Sequence, residues 1–209
     1  NKTFSQFKNC VRIDFDDWNK HSSNYNWEDG IIVDEARKGT IRAFRNQSGD
    51  FVRVLSNGPI TLNPDCSSMF EGNSIIRFVS FFNTDGSEVI NMNQMFKDCE
   101  DLSTVYAFQI KTPKLKYMAE MFANCGDLTD LTINKFDTSN VTTMSGMFSN
   151  CITLSQIDLS SFTTPKLEDA SAMFKKCKAQ TLDLSNFVTP NLKNTKEMFY
   201  DMQYLETLK

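Results

Sequence analysis

Apolar positions recur along this chain in two rhythms that follow one another. In "LTDLTINKF" (128–136) Leu131 and Ile133 alternate with polar residues. "LSTVYAFQI" (102–110) and "LSQIDLSSF" (154–162) repeat the pattern. Period-two alternation over a few residues predicts a short strand with one buried face. The second rhythm is that of Met92, Met95, Phe96 and Cys99, at i, i+3, i+4 and i+7. That spacing places four apolar side chains on one face of a helix and predicts a short helix there. Between the two lie "KTPKL", "TTPKL" and "VTPNL", where Pro113, Pro165 and Pro190 fix φ and mark a turn. Asn91, Thr143, Asp169 and Asn194 precede the helical pattern as expected N-caps. The elements therefore predict an α/β solenoid with one short parallel strand and one short helix per turn.

The register of these elements is strict. Met69-Phe70, Met95-Phe96, Met121-Phe122, Met147-Phe148, Met173-Phe174 and Met198-Phe199 are separated by 26, 26, 26, 26 and 25 residues. Four residues after each Met stand Asn73, Cys99, Cys125, Cys151, Cys177 and Met202. A fixed period in this range is the signature of a repeat array, in which stacked neighbours bury what one unit cannot. Phe70, Phe96, Phe122, Phe148, Phe174 and Phe199 are the expected spine of the core, with the four ladder cysteines beside them. Ala43-Phe44 lies one period upstream of Met69, so residues 43–68 read as a degenerate first repeat of an array spanning 43–209, its last repeat incomplete. Residues 1–42 show no register and read as an N-terminal cap.

The stretch "MFSNCITLSQIDLSSFTTPKLEDASAMF" resembles the BspA-like leucine-rich repeat, a variant also found in mycoplasma surface lipoproteins. The resemblance covers about residues 66–209. It implies a leucine-rich-repeat-like fold and a non-enzymatic scaffold for adhesion and host binding, on the cell surface or outside the cell. It carries over no binding residues. Phage-borne proteins of this type give the alternative of a structural or receptor-binding component of a particle, with a virion location.

Composition removes other classes. The net charge is −4 with no Lys/Arg cluster, which gives no reason to expect nucleic acid. No run of 18 apolar residues exists to span a membrane. The chain opens at Asn1 without a signal peptide, which points to a processed or trimmed fragment. His21 is the single histidine, so no catalytic triad can be assembled without it, and no enzyme or cofactor is expected. The cysteines show no C-x-x-C pair and no adjacent His, which argues against zinc and for buried free thiols. Asp14, Asp16 and Asp17 lack the spacing of a calcium loop and read as a solvated strand face. Tyr25 and Trp27, in an Asn-rich run, suit either sugar stacking or a capping loop with its aromatics on the core.

The candidate site follows from the strand alternation. Residues flanking the inward pair face outward and form ladders across repeats. These run Phe78, Thr104, Asp130, Gln156, Thr181; then Ser80, Tyr106, Thr132, Asp158, Asp183; then Phe82, Phe108, Asn134, Ser160, Ser185. Phe78, Phe82, Tyr106 and Phe108 gather on the early repeats, while Asp130, Asp158 and Asp183 lie on the later ones. Clustered aromatics on an open face call for a partner, here a protein or glycan. The alternative is that residues 1–42 fold over them. Met198, Phe199, Met202, Leu205 and Leu208 begin one more repeat, so the C-terminal edge is a candidate for self-association, or else the natural chain continues.

Overall fold

A computed structural model describes residues 10–32, 41–107 and 109–209, with Trp27 and Ile32 described by backbone alone. Its strands are β1 (Arg12–Asp17), β2 (Ile31–Ile32), β3 (Ile41–Arg45), β4 (Phe51–Ser56), β5 (Ile60–Thr61) and β6 (Phe78–Phe81). They continue with β7 (Thr84–Asp85), β8 (Thr104–Tyr106), β9 (Asp130–Thr132), β10 (Thr181–Leu182) and β11 (Thr207–Leu208). Seven strands form a mixed sheet in the order β2-β3-β4-β1-β6-β8-β9, and β5-β7 and β10-β11 form two small parallel pairs. β6, β8 and β9 pair in parallel with Phe78, Thr104 and Asp130 in line, one 26-residue period apart.

The expected α/β solenoid with a helix in every repeat is not what forms. Among the described residues there is no α-helix, only two short 3₁₀ turns at Trp18–Lys20 and Trp27–Asp29. The Met/Phe/Cys segments are runs of tight turns that hydrogen-bond to the next repeat. Met92, Gln94, Phe96 and Asp98 each donate their N–H to the carbonyl of Tyr117, Ala119, Met121 and Ala123, all at 2.9 Å. The intervening N–H groups of Met95, Lys97 and Cys99 close back three residues onto Met92, Gln94 and Phe96. Half of the donors a helix would use internally are thus committed between repeats.

Two backbone positions per repeat enforce this. Ser68, Gln94, Glu120, Gly146, Ala172 and Glu197 have φ between 52° and 61°. Four residues later Gly72, Asp98, Asn124, Asn150, Lys176 and Asp201 have φ between 56° and 69°. Left-handed residues recurring every four positions are incompatible with a right-handed helix. The expected N-caps instead make two-residue Asx or Ser/Thr turns, such as Asn93 N–H to Asn91 Oδ1 at 3.0 Å and Ser171 N–H to Asp169 Oδ1 at 2.8 Å. The same positions bridge from repeat to repeat, in the series Asp65, Asn91, Tyr117, Thr143, Asp169, Asn194.

Spacing explains why turns win. Phe70, Phe96, Phe122, Phe148, Phe174 and Phe199 stack in one column with centroids 5.1–5.9 Å apart and ring planes within 14° of parallel. Helix axes need roughly 8–10 Å, whereas paired strands need roughly 4.8 Å. Repeats that meet at ring-stacking distance leave no room for a helix in each. Around the column the core is closed. The gap lined by Phe81, Met95, Phe96, Phe122 and Phe136 measures about 10 Å³, no more than a single water requires.

The ladder thiols are buried and unpaired, and they hydrogen-bond backward. Cys99, Cys125 and Cys151 donate Sγ–H to the carbonyls of Phe70, Phe96 and Phe122 at 3.0–3.1 Å. Burial raises the Cys99 thiol to about 12 and Cys177 to about 11, and lifts Cys125 and Cys151 well above the ordinary value.

β1 lies inside the sheet, parallel to both β4 and β6. Its inward Phe15 stacks on Phe81 at 5.1 Å. The chain after β1 packs on the opposite face, where Trp18 and Tyr25 meet Phe44 at 5.8 and 4.9 Å. Gly30 permits this approach, since a Cβ there would lie 2.5 Å from the Phe44 ring.

Candidate functional site

The outer face of β4, β1, β6, β8 and β9 carries the candidate site. Register places Phe51, Arg12 and Phe78 side by side, and Arg53, Asp14 and Ser80 in the next row. The Arg12 guanidinium lies over Phe78 at 3.9 Å and over Phe51 at 5.3 Å, and Arg53 lies over Phe51 at 4.9 Å. Phe78 in turn meets Tyr106 edge-to-face at 5.4 Å and 86°. Tyr106 Oη donates to Asp130 Oδ2 at 2.6 Å, and this bond raises the phenol's pKa. One chain of contacts therefore links rings and charges across five strands, with Tyr106 reaching it from the neighbouring row beside Ser80. Each cation–π contact of this kind contributes about 0.5–1 kcal/mol where it is exposed.

Behind the row lies a half-buried polar cluster. Asp14 accepts from Arg12 Nε and Nη2 at 3.2 and 3.1 Å, with Arg53 Nη2 3.7 Å away. His21 Nε2 is 2.7 Å from Asp16 Oδ2 and its Nδ1 is 3.2 Å from Arg53 Nη1. A guanidinium only donates, so Nδ1 accepts and His21 carries its proton on Nε2. Asp16 is held below the usual carboxylate range. Burial acts the other way, but the bonds from His21 and the Asp17 N–H outweigh it.

The expected site residues fall into different settings. Phe78 and Tyr106 are half-buried neighbours on the sheet. Phe82 is half-buried at the end of β6, with Lys20 Nζ over its ring at 3.6 Å. Phe108 lies outside the described residues. Asp130 is exposed and is tied to Tyr106. Asp158 and Asp183 are exposed too, but the seven-stranded sheet ends at β9 and does not extend to them. Each instead accepts from its own turn, at Ser160 and Ser185, bonds that lower its pKa. The described part of the N-terminal segment contributes Arg12 and Lys20 to the aromatics, and its Trp18 and Tyr25 pack on Phe44. Arg12, Phe51 and Arg53 join the site without having been expected from the sequence. The alternation of "VRIDF" against "FVRVL" is the signal that could have found them. Among the described residues, no three His, Cys, Asp or Glu side chains converge to hold a metal ion. Among them, too, no helix is long and apolar enough to cross a membrane.

The fold and this face define a repeat protein, built from 26-residue units that stack in register, the early ones each adding a strand to a shared sheet. A family model described as "Mycoplasma protein of unknown function, DUF285" matches residues 43–129 and again 108–208, and the chain belongs to that family. The two matches overlap, as a family of repeats allows. No curated protein and no solved structure matches the chain.

Proposed function

We propose that this protein is a non-enzymatic binding module that holds a protein or glycan on the outer face of its sheet, at a cell surface or outside the cell. The contact chain Phe51–Arg12–Phe78–Tyr106–Asp130 carries this reading. Half-buried rings held by guanidinium groups, with a tyrosine hydroxyl and a carboxylate at their edge, combine apolar and hydrogen-bonding surface, a composition that suits recognition. The likeness of the repeat sequence to BspA-like leucine-rich repeats, a variant found in mycoplasma surface lipoproteins, supports an adhesive role and a surface address.

The test is a panel of glycans and extracellular-matrix proteins, probed with the wild-type protein and with Phe78→Ala/Tyr106→Ala. Loss of the wild-type hits by about tenfold or more, some 1.4 kcal/mol, at an unchanged melting temperature supports the site. Identical hits from a folded double variant move it elsewhere.

A further inference from the structure

Asn57-Gly58 is the only place in the chain where asparagine precedes glycine. It sits in the exposed turn from β4 to β5. The Asn57 side chain is exposed and makes no hydrogen bond among the described residues, and the Gly58 N–H likewise donates to none. A Cβ built at Gly58 would meet nothing within 4 Å, and φ there is +137°, so the space beside Gly58 is open and the turn has glycine-only geometry. Asn46 and Asn73, by contrast, are held. Asn46 Nδ2 donates to Ser48 and Asp50 at 2.7 and 2.6 Å, and Asn73 Oδ1 accepts from the Ile75 and Ile76 N–H groups.

We infer that Asn57 is a site of spontaneous covalent modification, by which the β4–β5 turn is converted to aspartate and isoaspartate. The Gly58 nitrogen loses its proton to base and attacks Asn57 Cγ. The N–Cγ bond forms, the Cγ–Nδ2 bond breaks and ammonia leaves, giving a five-membered succinimide. Water then opens the ring at either carbonyl. Opening at one leaves an ordinary aspartate at this position, and opening at the other leaves isoaspartate, with the backbone running through the side-chain carbon. No oxidant, enzyme or cofactor is needed.

The modification has a structural consequence at the neighbouring junction. The Gly58 carbonyl is clasped by Ser56 Oγ and by Asn83 Nδ2, the latter at 2.8 Å. Immediately beyond it, Ile60 N–H donates to Asn83 O at 2.8 Å and Leu62 N–H to Asp85 O at 2.9 Å, which seats β5 on β7. Isoaspartate lengthens the backbone by one methylene and displaces that carbonyl from its clasp. The new carboxylate adds a negative charge in the same turn. The modified chain therefore opens the β5–β7 pair while the Phe column stays intact.

The experiment is incubation of the full chain at about pH 8.5 and 37 °C, with peptide mapping by mass spectrometry in normal and ¹⁸O water. Asn57 is expected to convert at least about tenfold faster than Asn46 or Asn73, a barrier difference of about 1.4 kcal/mol. It should yield both isomers, each carrying one ¹⁸O. Gly58→Ala should slow conversion by a similar factor, since its Cβ shields the nitrogen. If that variant does not fold, the same comparison is made within the wild-type chain, folded against urea-unfolded. Folded and unfolded rates should then agree within about threefold, as an unshielded turn requires. Amide exchange at Ile60 and Leu62 should quicken in the product. Conversion of Asn57 no faster than Asn46, aspartate as the sole product, or tenfold protection by folding would each overturn the inference.

Discussion

Replacing Phe148 by alanine removes the ring at the middle of the column. Phe148 is fully buried, with Phe122 stacked at 5.9 Å on one side and Phe174 at 5.7 Å on the other. Truncating a buried Phe costs about 3–5 kcal/mol through lost transfer energy and the cavity left behind. Two parallel ring contacts vanish with it, each worth about 0.5–1.5 kcal/mol beyond area, which puts the expected loss near the upper end, about 4–5 kcal/mol. Backbone bonds tie the Met-Phe segment to the repeats on either side, so the cavity cannot collapse without breaking the ladder. Phe199 provides the internal comparison. It ends the column, has one stacking neighbour and is 37% exposed, so Phe199→Ala should cost only about 1–2 kcal/mol. Urea denaturation followed by circular dichroism and intrinsic fluorescence measures both, with the slope m checking that unfolding exposes the same surface. A loss under about 1 kcal/mol for Phe148→Ala, or equal losses for the two variants, would refute the stacked column as the main source of cohesion.

The left-handed positions make a paired prediction. Ala172, at φ 52°, carries the Cβ penalty of about 1–2 kcal/mol, so Ala172→Gly should stabilise by about 0.5–1 kcal/mol after the glycine's extra chain entropy. Gly146→Ala should destabilise by about 1–2 kcal/mol, because its Cβ also meets Glu120 Cγ at 3.2 Å. Thermal melts of the two variants check the signs. The thiols predict alkaline sensitivity. Their folded-state pKa values lie above the ordinary value of 9.0, with Cys66 and Cys99 at about 12 and Cys177 at about 11. The stability they contribute is complete below about pH 9 and is lost as pH climbs through about 11–12. Urea midpoints should fall over that window, less so in a Cys99→Ala/Cys125→Ala variant, and iodoacetamide at about pH 8 should label none of the six until denaturant is added.

The 26-residue register, the inward and outward alternation of β6, β8 and β9, and the membership of each Phe in the column could be read from residue order, because stacking repeats identical chemistry at one interval. The turns of the Met-Phe segments could not. Met92, Met95, Phe96 and Cys99 satisfy the helical period, yet a chain curling through paired left-handed residues also turns the same side chains inward. Two signals point to turns. A Phe column at strand spacing excludes helices in the same repeats. Gly72, Asp98, Asn124 and Asn150 all directly precede the ladder position, and Gly, Asp and Asn are the residues that tolerate positive φ. The site was half legible. Phe78 and Tyr106 follow from alternation within the repeats. Arg12 and Arg53 arrive through β1 and β4, on a sheet that β1 enters as an inserted strand sharing no period with the array. Asp158 and Asp183 drop out of the sheet because hydrogen bonding ends at β9, which composition does not disclose.

The central claim is that alternate N–H groups of each Met-Phe segment, that of the Phe among them, are bonded to the next repeat rather than to the carbonyl four residues before them. Through-hydrogen-bond scalar couplings in isotope-labelled protein test this most directly. Coupling from Phe96 N to the Met121 carbonyl carbon, and from Phe122 N to that of Met147, is the predicted result, alongside far-ultraviolet dichroism without a helical minimum at about 222 nm. Coupling from Phe96 N to the Met92 carbonyl carbon, with a helical spectrum, would contradict it.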